Sequence, residues 1–151
     1  MTGAYRKSYF NDVLEKVVKD SEKCVLVILD LDDFKQVNDT YRHQVGDKVL
    51  QEFSALVKSK ISKNDLFARW GGEEFLLLVE GGDLENTMTI SEDIRQTIEK
   101  HSFSEIGCLT SSFGVASLKK GENVESLFFR ADKALYKAKA NGKNQIVFGE
   151  I

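Results

Sequence analysis

Six consecutive β-prone apolar residues, Cys24-Val25-Leu26-Val27-Ile28-Leu29, run without polar interruption into Asp30-Leu31-Asp32. A half-exposed strand would alternate apolar with polar side chains, so a stretch this uniform predicts a strand buried on both faces. Its carboxylates then emerge at the carboxyl end. A second acidic pair, Glu73-Glu74, follows Gly71-Gly72, with Asp65 to Trp70 on one side and Phe75 to Val79 on the other. That is the pattern of a tight hairpin, with Glu73 near its turn. Either cluster alone also has a plain reading, as a helix cap or a solvated turn. Together, Asp30, Asp32 and Glu73 form a candidate triad for a hard divalent cation, which takes one or two carboxylates with water and phosphate oxygens. Phosphate chemistry is the inference.

At 151 residues and 42% apolar composition, the chain is expected to form a single domain over 1–151 with a substantial core. Its net charge of -3, with both signs interspersed, offers neither a nucleic-acid groove nor a membrane-binding face. No run reaches the roughly 20 apolar residues of a membrane span and no signal peptide is visible, so a cytoplasmic location is expected. Cys24 and Cys108 lack the close pairing of a metal or redox motif and are expected to be small core residues.

Helical spacing of Phe10, Val13, Leu14, Val17 and Val18 predicts a leading helix over Tyr9 to Asp20. After the first strand, a short segment from Asp33 to Thr40 precedes a longer helix from about Gln44 to Ile61, by the same spacing rule. The hairpin follows, then a helix from Leu84 to His101, a strand from Cys108 to Leu118 and a helix from Val124 to Ala140 stopped by Asn141-Gly142. Gly114 marks a point of close backbone approach, and Gln145 to Phe148 reads as a closing strand. The central order, strand, helix, strand, strand, helix, strand, gives an α+β fold, a ferredoxin-like split βαβ sheet with helices on one face. In that topology the first strand and the hairpin lie side by side.

These residues resemble GGDEF domains. Arg69-Trp70-Gly71-Gly72-Glu73-Glu74-Phe75 looks like the family signature in its GGEEF form, and Asp30 to Asp39 like its first-strand motif. The match continues through His43 to Asp47, Ser112 to Ala116 and Ala131 to Asn144, and Met1 to Lys7 resembles the end of an opening motif. The resemblance implies a palm of the nucleotidyl-cyclase type, its central antiparallel sheet flanked by helices with extra N- and C-terminal elements. It also implies diguanylate cyclase activity, in which two GTP molecules become cyclic di-GMP and two pyrophosphates across a two-fold dimer.

By position, Asp30, the Leu31 carbonyl and Glu73 are the implied ligands for Mg²⁺ or Mn²⁺, with Asp32 nearby. Glu74 is the candidate for accepting the hydroxyl proton and Lys35 for supporting catalysis at the phosphates. Phe34, Lys35, Lys139 and Lys143 match substrate-contacting positions, and Gly71 and Gly72 let backbone approach the phosphates. Asn38 and Asp47 match the guanine-reading pair, since a carboxylate accepts from guanine N1 and N2 hydrogens. Lys143 stands where the family usually has Arg, turning a fork into a point charge. Arg42 stands where Gly is frequent, at an expected left-handed turn. Ser62-Lys63-Asn64-Asp65 replaces an Arg-x-x-Asp product-inhibition site, so the two-point grip of Ser62 and Asp65 is expected to be degenerate.

The implied partners are GTP, a second copy of the domain and an upstream sensory or dimerisation domain. Two readings of other classes stand beside this one: a catalytically silent GTP-binding regulatory module, and a protein-interaction domain that binds neither metal nor nucleotide.

Overall fold

The computed structural model describes residues 7–20 and 23–149; apart from Lys7, the opening motif lies outside them. Eleven elements follow one another within these bounds: α1 (Lys7–Lys19), β1 (Cys24–Leu31), α2 (Phe34–Lys58), β2 (Leu66–Gly71), β3 (Glu74–Glu80), α3 (Leu84–Lys100), β4 (Ser102–Phe103), β5 (Gly107–Cys108), β6 (Ser111–Ser117), α4 (Val124–Ala140) and β7 (Ile146–Phe148). The main sheet has the order β2-β3-β1-β6-β7. Its first four strands pair antiparallel, which is the split βαβ arrangement, and β7 adds to β6 in parallel, so the sheet is mixed.

β1 is the spine. Every residue from Cys24 to Leu29 is at most 2% exposed, so the uniform apolar run is buried on both faces as its composition requires. Val25, Val27, Leu29 and Leu31 face a core built with α2 and α3, including Phe34, Phe53, Ile94 and Ile98. Leu26 and Ile28 face a second core built with α1 and α4, including Phe10, Leu14, Leu127 and Leu135. Helices therefore cover both faces, not one. The two helices of the split βαβ core share a face, and the terminal helices bury the other.

Two close contacts fix the helices that carry the site. A Cβ on Gly114 of β6 would lie 2.1 Å from the Ala131 carbonyl oxygen and 2.4 Å from the Leu135 nitrogen, so only glycine lets α4 lie this close to the sheet. The hairpin base is held by Trp70, whose ring packs on Phe10 of α1 and Phe128 of α4, with Lys7 Nζ 4.5 Å from its centroid. Asp83 and Asn123 cap α3 and α4, accepting from Asn86 N at 2.6 Å and Ser126 N at 2.8 Å.

Three further expectations change in the structure. The strand expected from Cys108 to Leu118 is two elements, because β5 turns back on β4 as a separate hairpin and β6 starts only at Ser111. Cys108 is exposed on that hairpin, whereas Cys24 is buried. The segment expected to precede the longer helix is helical from Phe34, with Asp33 left-handed at the N-cap, and continuous with it except at Arg42, whose φ of 77° and ψ of 164° break the helical path.

Candidate functional site

Strand pairing assembles the acidic centre. Asp30 sits in register between Glu74 of β3 and Ser112 of β6. By strand alternation it shares a face with Leu26 and Ile28, the face on which α4 lies. Lys139, in the last turn of α4, reaches across with its ammonium in contact with Asp30 Oδ1 and 2.7 Å from Asp32 Oδ1.

Asp32 is almost sealed, at 2% exposure. Its carboxylate accepts from Thr110 Oγ1 and Ser112 Oγ, each at 2.6 Å, from Lys139 Nζ at 2.7 Å and from the Asn144 backbone at 3.0 Å. Burial alone would raise its pKa, but the Lys139, Ser112 and Thr110 hydrogen bonds outweigh that and hold it below the usual carboxylate range. Asp30 goes the other way. Burial, reinforced by the charges of Asp32 and Glu73, pushes it up to about 6 despite the opposing pull of Lys139. Glu74 is also raised, by burial first and then by Asp132, Asp30 and Glu73. Lys139 is raised: burial opposes its charge, and the two aspartates more than offset that.

The donor set fits a hard cation. Asp30 Oδ1 is buried and, apart from its ion contact with Lys139, accepts no aligned hydrogen bond, leaving lone pairs beside the hairpin carboxylates. The triad of Asp30, Asp32 and Glu73 is not preassembled: among the described residues no three acidic, His or Cys side chains converge as ligands. Asp32 is committed to its four donors and acts as a fixed charge behind Asp30. Leu31, at 1% exposure, faces the core, which leaves only its backbone for a ligand.

The positions matched to guanine recognition meet at the break in α2. A Cβ on Gly46 would come within 1.9 Å of Asn38 Oδ1, so the Asn38 amide lies directly over Gly46, next to exposed Asp47. Phe34 is buried at 3%, its ring end against Gly46, and only its backbone can face a substrate. Lys35 is exposed, and Lys143 donates to Asp33 Oδ1 at 2.5 Å. Among the described residues, a Cβ on Gly71 or Gly72 would meet no atom within 4 Å, and neither glycine has a left-handed φ. The fold itself does not require glycine there. Arg69 Nε closes the turn by donating to the Gly72 carbonyl at 2.9 Å.

Asp65, 9% exposed, accepts from Ser62 N at 3.0 Å and closes its own turn. A cavity of about 640 Å³ opens behind the β1–α2 turn, walled by Asp33, Gln36, Thr40, Glu99 and Leu109 among others, and includes neither Asn38, Asp47 nor Glu73. Sequence reading did not single out Thr110 or Asn144 as supports of Asp32; their one signal was the hydroxyl and amide content flanking β6 and the end of α4.

Residues 1–145 match the model of the family described as diguanylate cyclase, GGDEF domain, and the chain belongs to that family. It is 36% identical over 151 residues to diguanylate cyclase DgcM of Escherichia coli K12, covering 97% of this chain and 37% of that protein. Among solved structures, it is similar to the GGDEF domain of DgcB from Caulobacter crescentus in complex with c-di-GMP, with TM-score 0.93, 31% identity and coverage of 99% of this chain and 94% of that one. The active GGEEF domain of a diguanylate cyclase from Vibrio cholerae aligns with TM-score 0.88 and 31% identity over 98% of each chain. The chain thus spans a little over a third of the length of the E. coli relative. Among the described residues, no helix is long and apolar enough to cross a membrane.

Proposed function

We propose that this domain is a diguanylate cyclase module that condenses two GTP molecules, one on each of two facing copies, into cyclic di-GMP and two pyrophosphates. The observation that carries the reading is the convergence of Asp30, Glu74 and Lys139 at one end of β1, in a chain of this family with the Gly71-Gly72-Glu73-Glu74 turn intact. Asn38 and Asp47 hold the base: the Asp47 carboxylate accepts from N1 and N2 of guanine, where adenine offers no matching pair of donors. Lys139 and Lys143 take the phosphates as point charges, and Lys35 stands exposed in the first turn of α2.

Mg²⁺ or Mn²⁺ held by Asp30, Glu73 and the Leu31 carbonyl would supply Lewis-acid stabilisation of the α-phosphate. Each 3'-hydroxyl attacks the α-phosphorus of the opposite GTP, the bond to the β-phosphate oxygen breaks, and pyrophosphate leaves. Glu74, with its raised pKa, is the acceptor for the departing hydroxyl proton. Gly71 and Gly72 leave open space over the turn, in which phosphates approach the backbone. Because each copy contributes half a site, activity requires a two-fold pair, brought together by a dimerisation domain upstream of the catalytic one.

The test is chromatographic detection of cyclic di-GMP from GTP and Mg²⁺ with the chain fused to a leucine zipper, beside Glu73→Ala and Glu74→Ala. Product from the parent and its loss in both variants is expected. GTP binding without product, in a demonstrated dimer, would replace this reading with a silent nucleotide-binding module.

A further inference from the structure

The acidic centre is gripped from the side of α3 through one asparagine. Lys143 and Asn144, just after α4, both take left-handed backbone conformations, with φ of 65° and 49°. That turn aims the Asn144 N–H at Asp32 Oδ2, 3.0 Å away, and at Ser112 Oγ, 3.1 Å away. Its side chain points the other way. Asn144 Oδ1 accepts from Arg95 Nη1 at 2.8 Å, and Nδ2 donates to Glu99 Oε2 at 2.5 Å. Arg only donates and a carboxylate only accepts, so the amide has one permitted orientation.

Arg95 is itself immobilised. Its Nε and Nη2 fork onto Glu92 at 2.7 and 2.6 Å, and Gln96 Nε2 holds Glu92 from a further side at 2.7 Å. With a side chain only 16% exposed, Arg95 links the rigid face of α3 to the loop. None of these α3 residues reaches the reacting groups.

We infer that Arg95, with Glu99, is a positioning residue: by orienting Asn144 it fixes Asp32, and with Asp32 the placement of Lys139, while the same left-handed turn sets Lys143 beside Asp33, so that both lysines are placed to receive the phosphates. This rests on the proposed nucleotide site, and deepens it. The rival is a tie that only adds stability, as Arg130 does by bridging Glu122, Ser117 and Gly149.

Asn144→Gly is the clean variant, because glycine keeps the left-handed backbone and the N–H while deleting only the side-chain link. Arg95→Met attacks the same link from α3, and Arg130→Lys supplies a comparable stability loss elsewhere. Three readings are needed on the 151-residue chain: thermal midpoint, hydrogen-exchange protection of the residue 144 amide by NMR, and affinity for a non-hydrolysable GTP analogue with Mg²⁺. Losing the charge-assisted tie to α3, both bonds in Asn144→Gly and the Arg95 bond in Arg95→Met, is expected to reduce both amide protection and analogue affinity about tenfold or more. The double variant should be no worse than the single ones, since both act along one path. Protection and affinity within about twofold of the parent, or an equal loss of affinity in Arg130→Lys, would overturn the inference. A parent chain that binds no analogue would sink the proposed function instead, and the amide protection would then decide this point alone.

Discussion

Arg42→Gly should make this protein more stable. At φ 77° and ψ 164°, Arg42 occupies a region open essentially to glycine alone, where a Cβ crowds the neighbouring backbone. Such strain costs about 1–3 kcal/mol, and glycine returns roughly 0.5–1 kcal/mol of it by loosening the unfolded chain. Nothing in the side chain offsets the strain: Arg42 is exposed and, among the described residues, enters no hydrogen bond or ion pair. The net gain is about 1 kcal/mol at the middle of these ranges and at most about 2.5 kcal/mol, which at about 2–4 °C per kcal/mol for a chain of this size raises the thermal midpoint by a few degrees and at most about 10 °C. Thermal melts and urea titrations with unchanged slope are the assay. Arg42→Ala is the control, since it removes the side chain but keeps the Cβ, and it should melt close to the parent. A midpoint for Arg42→Gly at or below the parent, or an equal gain in Arg42→Ala, would refute the backbone-strain argument.

Gly114→Ala should be severe, because the new Cβ meets backbone of α4 at 2.1 and 2.4 Å, and a loss of at least about 3 kcal/mol in denaturation is expected. Asp30 holds its proton more tightly folded than unfolded, having moved from 3.8 to about 6. Its contribution to stability is therefore complete below its unfolded pKa and is lost as pH rises through about 6, at most about 3 kcal/mol, and urea melts should show this window flattened in Asp30→Asn. Because a carboxylate and not an acid binds a cation, Mg²⁺-dependent nucleotide binding should rise across the same window in a pH titration. Asp65→Ala should lower the melting temperature by opening the Ser62 turn while leaving affinity for cyclic di-GMP unchanged in calorimetry; submicromolar binding abolished by this substitution would show that the inhibitory site survives.

The chain states its spine openly, and less of what surrounds it. β1 was legible because no half-exposed strand tolerates six apolar residues in succession, and the same fact already required cover on both faces. Expecting helices on one face followed from the split βαβ core and left the apolar stripe read in α1, and that of α4, without a surface to cover. The β4–β5 hairpin escaped because its strands are two residues long, too short for any period to show. Asp30, Glu73 and Glu74 stand out as candidates through the strand end and the glycine turn, and Lys139 through the resemblance of its motif. The supports of Asp32 were hidden because Thr110, Ser112 and Asn144 converge only after β6 and the end of α4 dock. Arg95 looks in sequence like one more exposed helix charge; its partner lies 49 residues away.

Lys139 gives the acidic centre its own counter-ion. With the ammonium between Asp30 and Asp32, a divalent ion can claim Asp30 only by displacing a positive charge already there. Phosphate oxygens would offer the ammonium another partner. Metal and nucleotide should then bind as a linked pair, each raising the affinity for the other by the same factor, while free Mg²⁺ alone is held weakly. A single lysine would thus make the site responsive to GTP and largely indifferent to the cell's standing pool of divalent ions.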